Sequence, residues 1–215
     1  MSIKLGAVIL GAASLFLVCE AKADTLEFKL DQTFIGTSPS STAPWLTATF
    51  TQGLNGTVDL ALHSSLNVSS EFFGSLGLNF NSGKSLTGIA QNGGSFAAIN
   101  SSQNGEDLQG GGDVGKGFDI MINFETANSG RFQGTDLITF IFSSNTDTLT
   151  PADFDLVNPS GLYLAAHVQG IPNGESGAVT GVRTGETTVP DGGSTLILLG
   201  IGTTLFAFVR RAFIS

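Results

Sequence analysis

Short runs in which apolar and polar residues alternate are the feature that most limits how this chain can fold. In the first run, Leu26, Phe28 and Leu30 are separated by polar residues. A repeat of two residues is that of a β-strand with one buried face and one exposed face. Similar runs lie at 46–51, 58–63, 76–81, 118–125 and 162–168, while 137–142 is more uniformly apolar, as in a central strand, and 179–183 adds an edge strand. The pattern therefore predicts a protein built from short strands.

Clusters of glycine and asparagine separate the predicted strands. Asn55-Gly56 is one example, and both residues tolerate the positive φ that tight turns require. One helical turn is expected at 150–154 and another short helix within 64–75, but no long amphipathic helix is expected. These features predict an all-β fold, a single β-sandwich that is either jelly-roll-like or immunoglobulin-like.

The composition excludes some partners. Asp and Glu number 18 against 9 Lys and Arg, so the net charge is -9. A chain without a basic patch is not expected to bind nucleic acid. The aromatic residues are 17 Phe with one Trp and one Tyr. Because Phe fills a core without needing a polar partner, this bias favours a packed interior over an aromatic binding surface.

The N-terminus has the layout of a secretory signal peptide over residues 1–23. A basic residue precedes the apolar run Leu5–Val18, and Ala21 and Ala23 form an A-x-A cleavage site. Cleavage by signal peptidase then gives a mature chain that starts at Asp24. The sequence therefore predicts an exported protein.

The C-terminus contains a second apolar run, Thr195–Val209, followed directly by Arg210 and Arg211. The run is predicted to form a transmembrane helix of marginal length. Because basic residues stay on the cytoplasmic side, the arginines act as a cytoplasmic stop and the preceding domain lies outside. Two readings remain open, a removable processing tail and a plain single-pass anchor.

The residues before this run carry a resemblance to a known family. The motif consists of Val189, Pro190, Asp191, Gly192 and Gly193. Followed by an apolar helix and two arginines, it resembles the PEP-CTERM type of sorting signal in its Val-Pro-Asp, VPDSG-CTERM-like variant. The commonest form of the motif has Glu where this chain has Asp191.

The resemblance implies processing by an exosortase in a bacterium that makes exopolysaccharide. The protein is then expected to pass through a membrane-anchored intermediate to the cell surface or the extracellular space. The implied organisation is a signal peptide at 1–23, a β-sandwich ectodomain at 24–188 and a C-terminal sorting signal at 189–215.

No motif in the ectodomain predicts catalysis. The glycine-rich segment 110–117 resembles a phosphate-binding loop, but a predicted strand follows it where a helix is needed. G-x-S-x-G, H-E-x-x-H and C-x-x-C are absent, and the only histidines are His63 and His167. The two histidines are expected to be ordinary strand residues. The sequence therefore predicts a protein that is not an enzyme and has no catalytic or cofactor-binding residues.

Calcium is the one ligand that the sequence suggests. Asp107, Asp113 and Asp153 lie in loops rich in the oxygen donors that calcium prefers. Turn and capping roles are the favoured explanation of these residues, and no resident cofactor is predicted.

Three functions compete on this basis. The first is a structural or interaction protein of the cell surface or extracellular matrix, which the two terminal signals favour. The second is a carbohydrate-binding module for exopolysaccharide, and the third is a secreted hydrolase. The poverty in Tyr and Trp counts against the second, and the missing catalytic motifs count against the third.

Overall fold

The computed structural model describes residues 24–94, 98–127 and 129–184. The signal peptide predicted at 1–23 and the sorting signal predicted at 189–215 lie outside these ranges. The strands in chain order are β1 (Thr25–Gly36), β2 (Leu46–Gln52), β3 (Val58–Ser64), β4 (Phe72–Leu78), β5 (Gly88–Gly93), β6 (Ala98–Glu106), β7 (Phe118–Phe124), β8 (Phe132–Gln133), β9 (Leu137–Ser143), β10 (Leu164–Ile171) and β11 (Glu175–Thr184).

Helical structure in the described ranges is limited to short 3₁₀ turns, at Leu54–Gly56, Pro151–Phe154 and Pro172–Gly174. None of them has the length and apolar character that a membrane span needs. The first and third turns contain Asn55 and Asn173 at positive φ, 56° and 69°. Asparagine is one of the few side chains that adopt this conformation readily, which confirms the turn predicted at Asn55-Gly56.

The strands form one antiparallel sheet in the order β5-β9-β3-β2-β1-β11-β10-β4-β7-β6, with β8 paired to β4. One face of the sheet is lined by alternate residues such as Leu26, Phe28 and Leu30. The buried cluster on this face contains residues from both halves of the sheet, so the sheet curls around a single core. Phenylalanine dominates this core, and the rings of Phe50 and Phe154 stack with centroids 4.8 Å apart.

The all-β prediction is confirmed, and the predicted strands at β1, β2, β3 and β7 are present. The arrangement differs from the two separate sheets of a sandwich. Strand β1 pairs with β2 along one edge and with β11 along the other, which joins the two halves into one sheet.

Two local predictions were wrong. Residues 64–75 contain the start of β4 instead of a helix, because Phe72 and Phe73 are both buried and Phe73 pairs with Val168 and Phe132. Strand β11 is central instead of an edge strand, since it lies between β1 and β10. Strand β9 lies between β5 and β3, as predicted for a central strand, but it is buried only on alternate residues.

Strand pairing defines two ends of the sheet. Thr25 pairs with Thr51, and Glu27 pairs with Thr184, so both ends of the described domain lie beside the β2–β3 turn. We call this the terminal end, which comprises Asp24, Thr184 and the loops 53–57, 79–87, 107–117 and 144–163. The opposite, far end comprises the loops 37–45, 65–71, 125–131, 134–136 and 172–174, with residue 128 not described.

Candidate functional site

The three predicted calcium ligands all lie in loops of the terminal end. Asp153 belongs to the 3₁₀ turn Pro151–Phe154, which begins as predicted, with Thr150 as its N-cap and Pro151 in first position. The Thr150 and Asp153 side chains cap each other's backbone N–H in a reciprocal capping box. The turn therefore fixes the position of the Asp153 carboxylate.

The Asp153 carboxylate is buried and fully engaged by protein donors. Lys84 Nζ lies 2.7 Å from Oδ2, and the Thr150 backbone N–H and hydroxyl donate at 2.8 and 3.0 Å. Asn81 Nδ2 donates to Oδ1 at 3.1 Å. Burial alone raises the pKa of Asp153, but these donors outweigh it and hold that pKa below its ordinary value of 3.8. A carboxylate held in this way connects loops 79–87 and 144–163 and has little capacity left for a metal.

Asp107 and Asp113 lie in the glycine-rich loop 107–117, which also belongs to this end. Asp113 is almost fully exposed and pairs with Lys116 at 2.7 Å, and this hydrogen bond lowers the pKa of Asp113. Asp107 Oδ1 accepts the backbone N–H of Gly117 at 3.2 Å. Across the described ranges, no three His, Cys, Asp or Glu residues converge as a metal site would require. The structure thus does not bring the three calcium candidates together, and it assigns each a local structural role.

The glycine-rich loop 107–117 covers the outer face of the sheet. Strand β7 follows it, as expected, so no helix N-terminus is available for a phosphate. The loop supplies Leu108 to a small apolar cluster with Phe118, Met121, Ala165 and Ala178. A Cβ placed on Gly110 would lie only 2.7 Å from His167 Nε2, so glycine lets the loop approach the sheet closely. The loop is a cover over β10, which explains why β10 is buried on both faces.

The two histidines occupy different environments. His63 is exposed on β3, whereas His167 is 5% exposed on β10, and the two strands are not neighbours in the sheet. Gln169 Nε2 lies 3.2 Å from His167 Nδ1. Burial lowers the pKa of the His167 imidazole below its ordinary value of 6.5. His167 is therefore a neutral core residue at physiological pH.

Sequence reasoning missed one polar neighbour of His167. Ser75 of β4 lies directly opposite His167 in the sheet and is 1% exposed. Ser75 Oγ and His167 Nε2 both lack a hydrogen-bond partner among the described residues. No sequence signal marks this pair, because 92 positions separate the two residues (167 − 75) and only strand order joins them. Although these are the residue types of a nucleophile and a base, burial under the glycine-rich loop gives a substrate no access.

A polar cavity opens at the terminal end beside the Asp153 network. Its volume is about 290 Å³, and its lining residues are Phe80, Ser82, Lys84, Ser85, Leu86, Asp119 and Ile120. Lys84 is turned towards Asp153 and the carbonyl oxygen of Thr148, and Asp119 accepts the backbone N–H of Phe80 at 2.8 Å. The cavity is near the lower limit of about 300 Å³ for small-molecule pockets.

The two side chains best suited to stack on a sugar do not line this cavity. Trp45 is 6% exposed at the far end and donates to the carbonyl oxygen of Ser41 at 2.7 Å. Tyr163 packs against Phe28, with ring centroids 5.5 Å apart. Both rings serve the packing of the domain.

The described residues form one β-domain, and the C-terminal tail of the chain follows directly after β11. Residues 188–213 of that tail match the family model of the VPDSG-CTERM motif. The chain therefore carries the sorting motif that the sequence predicted. The motif implies an exported, surface-directed protein that an exosortase processes. Comparison of the chain with curated proteins and with solved structures finds no match.

Proposed function

We propose that the protein is a structural or interaction component of the cell surface or extracellular matrix. After signal peptidase has cleaved it before Asp24, the apolar segment 195–209 anchors it in the membrane, and an exosortase then cuts near the sorting motif. The observation that carries this proposal is the VPDSG-CTERM motif at 188–213, which follows the last strand of the domain after only a few residues. In this view, the curled β-domain is the part that functions outside the cell.

The polar contacts of the domain are consistent with a structural role. Lys84 and Asp153 join two loops of the terminal end, and Arg183 pairs with Asp155 to join β11 to the loop before β10. Asn79 Nδ2 donates to the carbonyl oxygens of Leu156, Leu162 and Tyr163. These contacts fix loop positions, so the proposal treats the domain as a rigid module and not as an enzyme.

Intact-mass analysis of protein from its native host, with membrane and medium fractions kept apart, tests the processing. We expect a species that starts at Asp24 and ends between Pro190 and Gly193, with or without an added group. A Pro190→Ala, Asp191→Ala variant should stay in the membrane fraction and retain Arg210-Arg211. Asp113→Ala, which changes an exposed acid outside the motif, is the matched control and should be processed normally. Retention of Arg210-Arg211 by the wild-type protein would show a plain anchor instead.

Deletion of the gene tests the surface role. If the protein is a matrix or surface component, the deletion strain should show altered cell-surface or matrix properties, and the wild-type chain should restore them. Restoration by the Pro190→Ala, Asp191→Ala variant would separate surface function from processing. An unchanged surface and matrix in the deletion strain would contradict the proposal.

The polar cavity favours one second candidate, recognition of a small polar unit such as a sugar residue of exopolysaccharide. The lining serines and Asp119 offer hydrogen-bonding groups, which is the feature that supports this candidate. A glycan array probed with and without calcium tests it. Binding should be lost in Ser82→Trp, which fills the cavity, and kept in Ser160→Trp, which alters another exposed serine of the same end. An array without any bound glycan would remove this candidate.

A further inference from the structure

Exposed apolar side chains are concentrated at the terminal end. Among the residues whose side-chain exposure the structure describes (24–94, 106–127 and 129–184), six large apolar side chains are exposed, and Leu137 is the one of these six at the far end. The other five are Leu54, Val114, Leu156, Val157 and Val182. Leu54 is 86% exposed at the tip of the β2–β3 turn. Because exposed apolar residues are usually scattered, their collection at one end indicates a contact surface.

Hydrogen bonds connect the loops that carry these side chains. Asn158 Nδ2 donates to the carbonyl oxygen of Val114 at 3.2 Å, which places loop 107–117 beside Leu156 and Val157. On the other side, the Leu149 backbone N–H donates to the carbonyl oxygen of Gly56 at 2.9 Å. The long loop 144–163 thus links the β2–β3 turn to the glycine-rich loop. Four of the five side chains, all except Val182 of β11, therefore belong to one connected set of loops.

The chain leaves the domain at this same end. Residues 185–188 separate Thr184 from the sorting motif, and such a link spans at most about 18 Å when extended. Residues 185–194 precede the apolar run Thr195–Val209, which gives a link of at most about 40 Å. While the tail is in the membrane, these lengths keep the terminal end close to the bilayer surface.

Charge indicates which bilayer surface suits this end. Its basic side chains are paired, with Lys84 bound to Asp153, Lys116 to Asp113 and Arg183 to Asp155. Acidic residues outnumber basic ones at this end, since they also include Asp24, Asp59, Asp107, Asp119 and Asp147. An anionic lipid surface would repel such an end, so apolar contact with zwitterionic lipid is the favourable interaction.

We propose that the terminal end rests on the bilayer while the tail is anchored, with Leu54, Leu156 and Val157 in the zwitterionic headgroup region. This inference rests on the proposed function, because it needs the membrane-anchored intermediate. The contact holds the domain against the membrane. It also holds the sorting motif at the depth of the exosortase, which is embedded in the membrane. Release of the tail then frees the domain.

Lipid quenching of site-specific fluorophores tests the orientation. The chain from Asp24 to Ser215, which contains no cysteine because Cys19 lies in the signal peptide, is reconstituted into phosphatidylcholine vesicles. A polarity-sensitive fluorophore is attached at Leu54→Cys, Val157→Cys or Leu137→Cys, and quenching by headgroup spin-labelled lipid is measured. Leu137 is the matched control because its 52% exposure is close to the 50% of Val157, but it lies at the far end. We expect several-fold stronger quenching and a blue shift at positions 54 and 157 only.

Equal quenching at all three positions, or none at 54 and 157, would overturn the inference. A blue shift at positions 54 and 157 that appears only when the exosortase is added would also overturn the inference, because the enzyme and not the lipid would then be the partner. Vesicle flotation of the same samples separates this failure from failure of the proposed function. A chain that does not float lacks the membrane anchor, whereas a floating chain with unquenched labels contradicts only the orientation.

Discussion

At the far end of the sheet Glu71 is completely buried, whereas at the terminal end Asp153 is buried in an ion pair. Glu71 accepts the backbone N–H of Ser40 and the hydroxyl of Ser41, both at 2.6 Å. The ion pairs described for this chain do not include Glu71. Asp153, in contrast, has Lys84 at 2.7 Å in addition to its neutral donors.

The difference follows from the loops that each carboxylate must hold. The far-end loops at 37–45 and 65–71 are short and neighbouring, and Ser41 Oγ also accepts the backbone N–H of Asn67. At the terminal end, loop 144–163 is long, and a hydrogen bond between Asn81 and Asp153 connects it to loop 79–87. A cation adds a strong, charge-assisted bond there. Stability at the terminal end should therefore depend on charge, and stability at the far end on hydrogen-bond geometry.

Removal of Asp153 is expected to have the largest effect. Asp153→Ala removes the acceptor of Asn81 and of the Thr150 N–H and leaves Lys84 with the Thr148 carbonyl oxygen but no carboxylate, and should lower the free energy of unfolding by about 3–4 kcal/mol. Urea unfolding followed by circular dichroism measures this. Asp113→Ala, at an exposed ion pair, should leave the midpoint unchanged. Similar midpoints for the two variants would contradict the role given to Asp153.

Substitutions at Glu71 test whether stability at the far end depends on hydrogen-bond geometry or on charge. Glu71→Ala leaves the Ser40 N–H and the Ser41 hydroxyl without an acceptor and should cost about 2–3 kcal/mol. Glu71→Gln keeps an acceptor in place and should cost about 1 kcal/mol. Trp45 donates to the Ser41 carbonyl oxygen, so its fluorescence reports on this end during urea unfolding. If Glu71→Gln costs as much as Glu71→Ala, then charge matters at the far end as well.

Two glycines with positive φ allow a comparison between the part of the sheet that the glycine-rich loop covers and a turn that is open to solvent. Gly110 has φ +77° and lies against His167, whereas Gly174 has φ +77° and nothing within 4 Å of an added Cβ. Gly174→Ala should cost about 1 kcal/mol for the backbone alone, and Gly110→Ala about 2 kcal/mol. Unfolding midpoints measure both. In a His167→Ala background the excess cost at Gly110 should disappear, and its persistence would contradict contact between loop and imidazole.

The smallest expected effect is the pH dependence that His167 introduces. Because its pKa is lowered on folding, the unfolded chain binds more protons between that pKa and 6.5. Its contribution to stability is thus complete above pH 6.5 and declines as the pH falls through 6.5. Urea midpoints at pH 7.5 and 5.0 should differ less in His167→Gln than in wild type. His63→Gln changes an exposed histidine and should keep the wild-type difference.

The 3₁₀ turn at 150–154 and strands β1 to β3 could be predicted because their signals are local. Thr150, Pro151 and Asp153 suffice to start a helical turn, and a period of two suffices for a strand with one buried face. Strands β5 and β6 were missed because they lie at the edges of the sheet, where Gly88–Gly93 shows no apolar period. An edge strand has one partner and little buried surface, so its sequence is weakly constrained.

The candidate site was predictable only in its residue types. The sequence indicated Asp153 and the glycine-rich loop as candidates. It could not show that Lys84 forms an ion pair with Asp153 or that Gly110 packs on His167. The pairing of Ser75 with His167 had no sequence signal at all. Each of these contacts joins segments far apart in the chain, and alternation within a strand contains no information about which strand will be its neighbour.

The sequence by itself determined the strand-rich character of the domain, its phenylalanine core and the sorting motif at 188–213. These properties depend on local periodicity, composition and a short linear motif. Only the tertiary structure decided that β1 joins two halves into one curled sheet and that Asp24 and Thr184 lie at the same end of that sheet. That order follows from burial of one shared apolar face, which is a property of the whole chain and not of any single segment.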